Sequence, residues 1–425
     1  MRQPLTFFIL LCVALCAGAA PSEFLTTGDG SYYNPYRLSK AAHLAELEKE
    51  VRGGSSFAGK FLVLTADIDM AVLPEWMAGF SGIGEAGADE ASSSSFCGDF
   101  NGRHFTIRNL SLQGGDNYGT GLFNSLGEGA CVHHLLLDAS CSVSGGSETG
   151  AVAGCVWNGM VEFCSSAATV SGNRNVGGLV GTIHAGAIQH CANTGRVNAV
   201  KGVGGIVGLM DGRTSVTGCY NIGEVVASTF GACAGIAGQG YGKADVTACY
   251  NTGHISGRPS VEFDIDLSNI LSDRPNVVWQ GAITGCCSVS RLSGIAEDGL
   301  TDFSPEEMCS EAALSLLNEA LKSAPYVVNP NSTAVEADRL FTRRDDINGG
   351  FPVPGWELAP PDSSIGAVPA DDSGSFEVCG DTVRSLSDRP LTVTDMAGRT
   401  VACSIEVRLA PGLYMVNSQK ILISK

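Results

Sequence analysis

The chain has 425 residues, 44 acidic and 26 basic side chains, and a formal charge of −18; 55 residues are glycine and 44% are hydrophobic. A chain this apolar can bury a core, which argues against disorder, and its acidity argues against a nucleic-acid surface, which needs clustered Lys and Arg. Abundant glycine without a collagen triplet points to turns repeated along the chain. Residues 1–20, MRQPLTFFILLCVALCAGAA, predict an export signal: Arg2, an apolar run from Leu5 to Cys16, then the small residues Ala17, Gly18 and Ala19. That run is too short for a membrane span and no later stretch is long enough, so no transmembrane segment is expected. Residues 21–56 follow as an N-terminal cap. Within them Ala41, Leu44, Leu47 and Val51 share one helical face, with Ser39 to cap its start and Gly53-Gly54 to stop it.

Residues 57–290 contain a repeat with a period near 28. Val176-Gly-Gly-Leu-Val-Gly181 recurs as Val203-Gly-Gly-Ile-Val-Gly208 and Cys233-Ala-Gly-Ile-Ala-Gly238, and Thr149-Gly-Ala-Val-Ala-Gly154 holds the same place upstream. A second motif keeps step with it: Cys191-Ala-Asn-Thr-Gly195, Cys219-Tyr-Asn-Ile-Gly223 and Cys249-Tyr-Asn-Thr-Gly253, with Cys164 one unit earlier. Each unit carries three short β-like runs between turns, which fits one coil of a solenoid with equivalent residues stacked about 4.8 Å apart. Leu179, Ile206 and Ile236 then form an aliphatic ladder. Asn193, Asn221 and Asn251 form a polar one at a turn, where asparagine tolerates a left-handed backbone and stacked amides hydrogen-bond along the axis. Gly195, Gly223 and Gly253 complete that turn. Val161 and Cys164 differ by an odd number, so both can face inward only if a bulge or corner lies between them.

Fourteen cysteines remain after signal removal. Disulfides are the first thought for an exported chain. Stacked in-register side chains, however, keep Cβ atoms about 4.8 Å apart, beyond the usual disulfide range, which favours free buried thiols at Cys164, Cys191, Cys219 and Cys249. No Cys-x-x-Cys pair occurs, and no metal or cofactor is expected. Residues 291–358 are expected to close the solenoid: Ser304-Pro-Glu-Glu307 combines an N-cap, a first-turn proline and a capping-box glutamate, and Met308, Ala312, Leu316 and Ala320 make an apolar stripe. Residues 359–373 read as a polar linker. Residues 374–425 read as a β-rich module with strands at Leu391–Thr394, Ala410–Val416 and Lys420–Lys425.

The Gly-Leu-Val-Gly units resemble the GLUG-motif repeat of bacterial surface proteins. Leu38-Ser-Lys-Ala-Ala-His-Leu44, Phe57-Ala-Gly-Lys60 and Leu64-Thr-Ala-Asp-Ile-Asp69 resemble that family's opening. Phe96-Cys-Gly-Asp-Phe-Asn-Gly102 and Gly121-Leu-Phe123 resemble its first coils, and Asn348-Gly-Gly-Phe-Pro352 with Trp356 its closing region. The match spans roughly 36–358 and implies a right-handed parallel β-helix on a cell surface; with the period of about 28 residues per coil and the helical caps read from the residues above, the expectation is an all-β chain. Ala151 and Ala234 stand in glycine positions, and the asparagine is missing near Cys164. Asp395-Met-Ala-Gly-Arg399, the Pro-Gly-x-Tyr-x-Val strand and the final Lys-Ile-Leu-Ile run resemble the C-terminal sorting domain of the type IX secretion system of Bacteroidetes. That resemblance implies a small β-sandwich, read by the secretion machinery as an export address. An ordinary β module that stays attached is the alternative.

Catalytic β-helices need clustered carboxylates on one face. Here the column after the turn glycine runs Thr169, Arg196, Glu224, His254, and alternating charges at strand spacing read as an ion-pair ladder rather than a catalytic site. Asp67-Ile-Asp69 and Asp264-Ile-Asp266 sit in strand-like contexts, His133-His134 should be split across faces by strand alternation, and no nucleophile elbow or zinc-helix motif occurs. The expectation is an exported or cell-surface β-helix with adhesin-like binding or scaffolding of an extracellular glycan or protein, and no catalysis. A polysaccharide lyase or glycoside hydrolase is the alternative.

Overall fold

The computed structural model describes residues 22–73, 79–87, 94–228, 231–257, 267–272, 279–289, 299–325, 327 and 337–358 in full, and as backbone only residues 265–266, 336 and the strands within 376–423. The signal segment, the linker, Asp264 and the Asp266 side chain lie outside the described residues, as does most of the Asp395–Arg399 turn.

Parallel pairing organises the chain from Tyr36–Leu38 to Leu300–Phe303, in three sheets of 11, 9 and 10 strands among the described residues. The result is a solenoid of about seven turns with about 29 residues each. Register decides the core. Leu62, Phe100, Val132, Val161, Ile188, Val216 and Val246 are successive Cα partners, and all are fully buried. Each β-branched or aromatic side chain covers the one in the rung before it, and that fits the pleated surface. Leu179, Ile206 and Ile236 are also fully buried.

A corner lies between Val161 and Cys164. The residue before each ladder cysteine has a left-handed backbone: Phe163 (φ 51°), His190 (φ 51°), Gly218 (φ 64°), Ala248 (φ 52°) and Gly285 (φ 59°). One such residue breaks the two-residue alternation, so valine and cysteine both point inward. Asn193, Asn221 and Asn251 do not take the left-handed backbone expected of them; they are strand residues. Gly195, Gly223 and Gly253 likewise lack positive φ. A Cβ on each would come under 3.0 Å from the carbonyl oxygen of Ala168, Gly195 or Gly223, one coil away, so close approach of coils excludes a side chain there.

The front helix, Ala41–Arg52, buries Ala41, Leu44, Leu47 and Val51. Its N-cap is Lys40 rather than Ser39; Ser39 instead donates its backbone N–H to His43 Nδ1 at 3.1 Å. The closing region departs further from expectation. The capping box at Ser304 is complete, but its helix, Pro305–Met308, stops after one turn. Ser310 then caps a second helix, Glu311–Ser323, by accepting from Ala312 N–H. This restart shifts the apolar phase: Ala313, Leu317 and Ala320 are buried, whereas Ala312 is exposed and Leu316 half-buried. A serine side chain competes well for backbone donors, which explains the break. The buried face packs beside Tyr220, Tyr250, Cys287 and Val289, which face outward from the second sheet, and with Met308, Phe341 and Val353 makes a second apolar cluster. The closing segment therefore lies along the flank of the coils rather than simply over the last one. The C-terminal strands, from Phe376–Cys379 to Gln419–Ile423, pair antiparallel in sheets of three and four.

Candidate functional site

The cysteine column steps by 28, 30 and 37 residues from Cys191 to Cys219, Cys249 and Cys286. Each backbone N–H donates to the next thiol: Cys191 to Cys219 Sγ at 3.3 Å, Cys219 to Cys249 Sγ at 3.4 Å, Cys249 to Cys286 Sγ at 3.4 Å. The twelve cysteines among the described residues are free. Burial pushes the thiols of Cys191, Cys249 and Cys286 well above the ordinary range, whereas at Cys219 burial is outweighed by hydrogen bonds with Cys191 and Cys249, which lower it; all four are fully buried, so the column is packing that no substrate reaches. Beside it, Asn193 Nδ2 donates to Asn221 Oδ1 and Asn221 Nδ2 to Asn251 Oδ1, both at 2.8 Å. Each amide also donates to the carbonyl two residues on. The glycines of the other motif make room for these amides, since a Cβ on Gly178, Gly205 or Gly235 would fall under 3.0 Å from Asn193, Asn221 or Asn251. Where the coil carries Ala151 in that glycine position, the matching ladder residue is the smaller Ser166.

The left-handed corner residues stack outward. His104, His134, Phe163 and His190 follow with centroid spacings of 4.8, 4.9 and 5.2 Å. Trp356 lies across His104, His134 and Phe163 and donates Nε1–H to His190 O at 2.8 Å. Burial lowers His134 to about 2 and His190 to about 3, so both rings are neutral. Further along, the corner shrinks to Gly218, Ala248 and Gly285, against which Leu321 and Ala320 of the flanking helix pack. Tyr220 and Tyr250 stack at 5.1 Å; Tyr220 Oη donates to Glu357 at 2.8 Å, and Tyr250 Oη to Pro352 O.

His133 and His134 are not separated, because His134 occupies the corner (φ 52°): their Nδ1 atoms are 2.8 Å apart. His133 Nε2 is 2.9 Å from Asp99 Oδ1. Cys131 joins them, with one donor atom from each of the three lying within 4.8 Å of the others, and Glu162 Oε1 stands 4.0 Å from Cys131 Sγ. All four are less than a tenth exposed. Sequence reading did not single out this cluster. Its members occur once each, and their only signal is separation by about one coil: 34 residues from Asp99 to His133 and 31 from Cys131 to Glu162. Both ring nitrogens of His133 are engaged by Asp99 and His134, so the imidazole is not arranged as the base for a Cys131 nucleophile.

Two outer columns are exposed. Arg196 pairs with Glu224 at 2.9 Å and His254 approaches Glu224 at 4.0 Å, so the charges satisfy one another. Asp67 pairs with Arg108 and accepts from Thr106 N–H, while Asp69 accepts from Ala71 N–H and Asn109 Nδ2, which gives both aspartates turn-holding roles. On another corner Trp157 and His184 stack face to face, 3.7 Å apart and 12° from parallel, both half-buried. His184 Nδ1 meets Asp211 Oδ2 at 3.3 Å, and the half-buried Tyr241 follows one coil further on. Beside this ridge Arg213 and Lys243 are register partners, exposed and without an ion pair among the described residues. Sequence reading missed the ridge, because its members are four different residue types on bulges where register shifts.

Residues 172–198 match the GLUG motif family model. Halomucin of Haloquadratum walsbyi is 32% identical over 132 residues, 30% of this chain and 1% of that protein. A "Putative Gly-rich membrane protein" of Evansella cellulosilytica is 29% identical over 131 residues, 31% of this chain and 14% of that protein. The chain thus spans only a small part of these curated relatives. Among solved structures, a "putative immunoglobulin A1 protease" from Bacteroides ovatus aligns with a TM-score of 0.54 at 18% identity, over 77% of this chain and 94% of that one. The chain is thus a β-helix carrying a GLUG motif, and among its described residues no helix is long and apolar enough to cross a membrane.

Proposed function

We propose that this chain is an exported bacterial cell-surface β-helix whose work is adhesin-like binding or scaffolding rather than catalysis, with an acidic extracellular glycan as its ligand class. The observation that carries this reading is the ridge of Trp157, His184, Asp211 and Tyr241 on a rigid stack of coils. The half-buried Trp157, one ring face of which is taken by His184, offers its remaining indole surface to the apolar C–H face of a sugar ring, Asp211 and Tyr241 offer hydrogen bonds to its hydroxyls, and Arg213 and Lys243 suit a carboxylate. The Arg196 column is less suited, since its charges are spent on one another. A glycan array probed with the full chain tests this reading. Binding is expected on uronate- or sialate-bearing glycans, weakened about tenfold in Trp157→Ala by loss of one stacking partner. Release of reducing sugar by the purified chain alone would favour the hydrolase or lyase reading instead.

We further propose that residues 374–425 act as a type IX export address. Surface display that survives deletion of 374–425 in the producing cell would remove that role.

A further inference from the structure

We propose that Asp99, Cys131 and His133, completed by Glu162, form a buried site for one Zn²⁺ ion. Four donors come from three successive rungs. Asp99 is the Cα partner of Cys131, and His133 is the partner of Glu162, one rung further. Cys131 and His133 are two apart on one strand, so they share a face. The strand register, rather than any local loop, thus gathers a carboxylate, a thiol, an imidazole and a second carboxylate. Thiolate, imidazole and carboxylate together form a donor set suited to Zn²⁺ and poorly suited to Mg²⁺ or Ca²⁺.

The three-residue cluster is near the dimensions that such an ion needs. Tetrahedral zinc with bonds of about 2.0–2.3 Å places its donor atoms roughly 3.3–3.8 Å apart. Here one donor atom each of Asp99, Cys131 and His133 lies within 4.8 Å of the others, with His133 Nε2 and Asp99 Oδ1 2.9 Å apart, so these three need only a small adjustment to close on an ion; Glu162 Oε1, 4.0 Å from Cys131 Sγ, stands outside that trio and swings in as the fourth ligand. On binding, the Cys131 thiol proton leaves to solvent and the thiolate takes its place on the ion. His133 then binds through Nε2 and donates Nδ1–H to His134 Nδ1, 2.8 Å away, so His134 is a positioning residue that sets ring orientation and tautomer. Burial of all four donors assigns the ion to holding rungs together rather than to chemistry on a substrate.

Cobalt titration of the full chain, stripped with chelator under reducing conditions, tests this. A near-ultraviolet thiolate-to-cobalt band is expected, saturating at about one equivalent and displaced by Zn²⁺. Cys131→Ser should abolish the band, whereas Cys191→Ser, in the buried cysteine column, should keep it. His134→Phe retains every ligand and the aromatic corner, and should weaken binding about 10–100-fold. No band in the wild-type chain, or a band that survives Cys131→Ser, overturns the site. Undiminished affinity in His134→Phe overturns the positioning role.

Discussion

Asn221 shows what one residue does in a stacked chain. Its amide accepts from Asn193 and donates to Asn251 and to Gly223 O, so both N–H donors are used inside the wall. That amide occupies the space that Gly205 leaves open. Gly205→Ala should therefore cost about 1–3 kcal/mol through overpacking. Asn221→Ser should partly relieve it, as Ser166 sits with Ala151; relief is partial because Gly235 O also crowds the added carbon. Urea midpoints of the two single variants and the double variant check this, and strictly additive losses would show that the asparagine is not the obstacle. The ladder residues were legible in sequence because each recurs at every coil. Asp99, Cys131, His133 and Glu162 were not, because nothing repeats to mark them and coil length varies between them.

Among the elements, the closing segment carries a group whose proton is held more tightly when folded. Glu357 is buried against the coils with Tyr220 as its partner, and burial raises it from 4.5 to about 7. The folded state thus holds this proton more tightly than the unfolded chain does. Its contribution is full below about pH 4.5 and is lost as pH rises through about 7, on the order of 3 kcal/mol in all. Measured from pH 5 to 8, the thermal midpoint of the wild-type chain should fall relative to that of Glu357→Gln, which keeps an acceptor for Tyr220 without the charge; buried neutral His134 and His190 gain stability as pH rises in both chains and so cancel in the difference. An equal slope in both would assign the fall to other groups. The helices of this region were legible as helices, since capping box and apolar spacing are local signals. Their phase was not: Ser310 restarted the helix, and which residues became buried followed from Tyr220 and Tyr250 on the flank.

The whole molecule is a stack in which each rung meets chiefly its neighbours, so stability is close to a sum of rung and interface contributions. Its charge of −18 spreads repulsion along the rod, and its exposed ion pairs add little. Glu224→Gln removes the Arg196 pair but also one negative charge, so the urea midpoint should change by less than about 1 kcal/mol equivalent. A larger loss would make the column a structural clamp. The sequence by itself determined the solenoid, its coil length and its inward ladders, because a side chain stacked on its own kind must recur with the period of the coil. Only the tertiary structure decided what single residues do: that the closing helix lies along the flank, that Trp157 and His184 share a ridge, and that Asp99, Cys131 and His133 converge. Those contacts join residues about a coil or more apart through register, bulges and left-handed corners, and such geometry leaves no periodic trace in the chain.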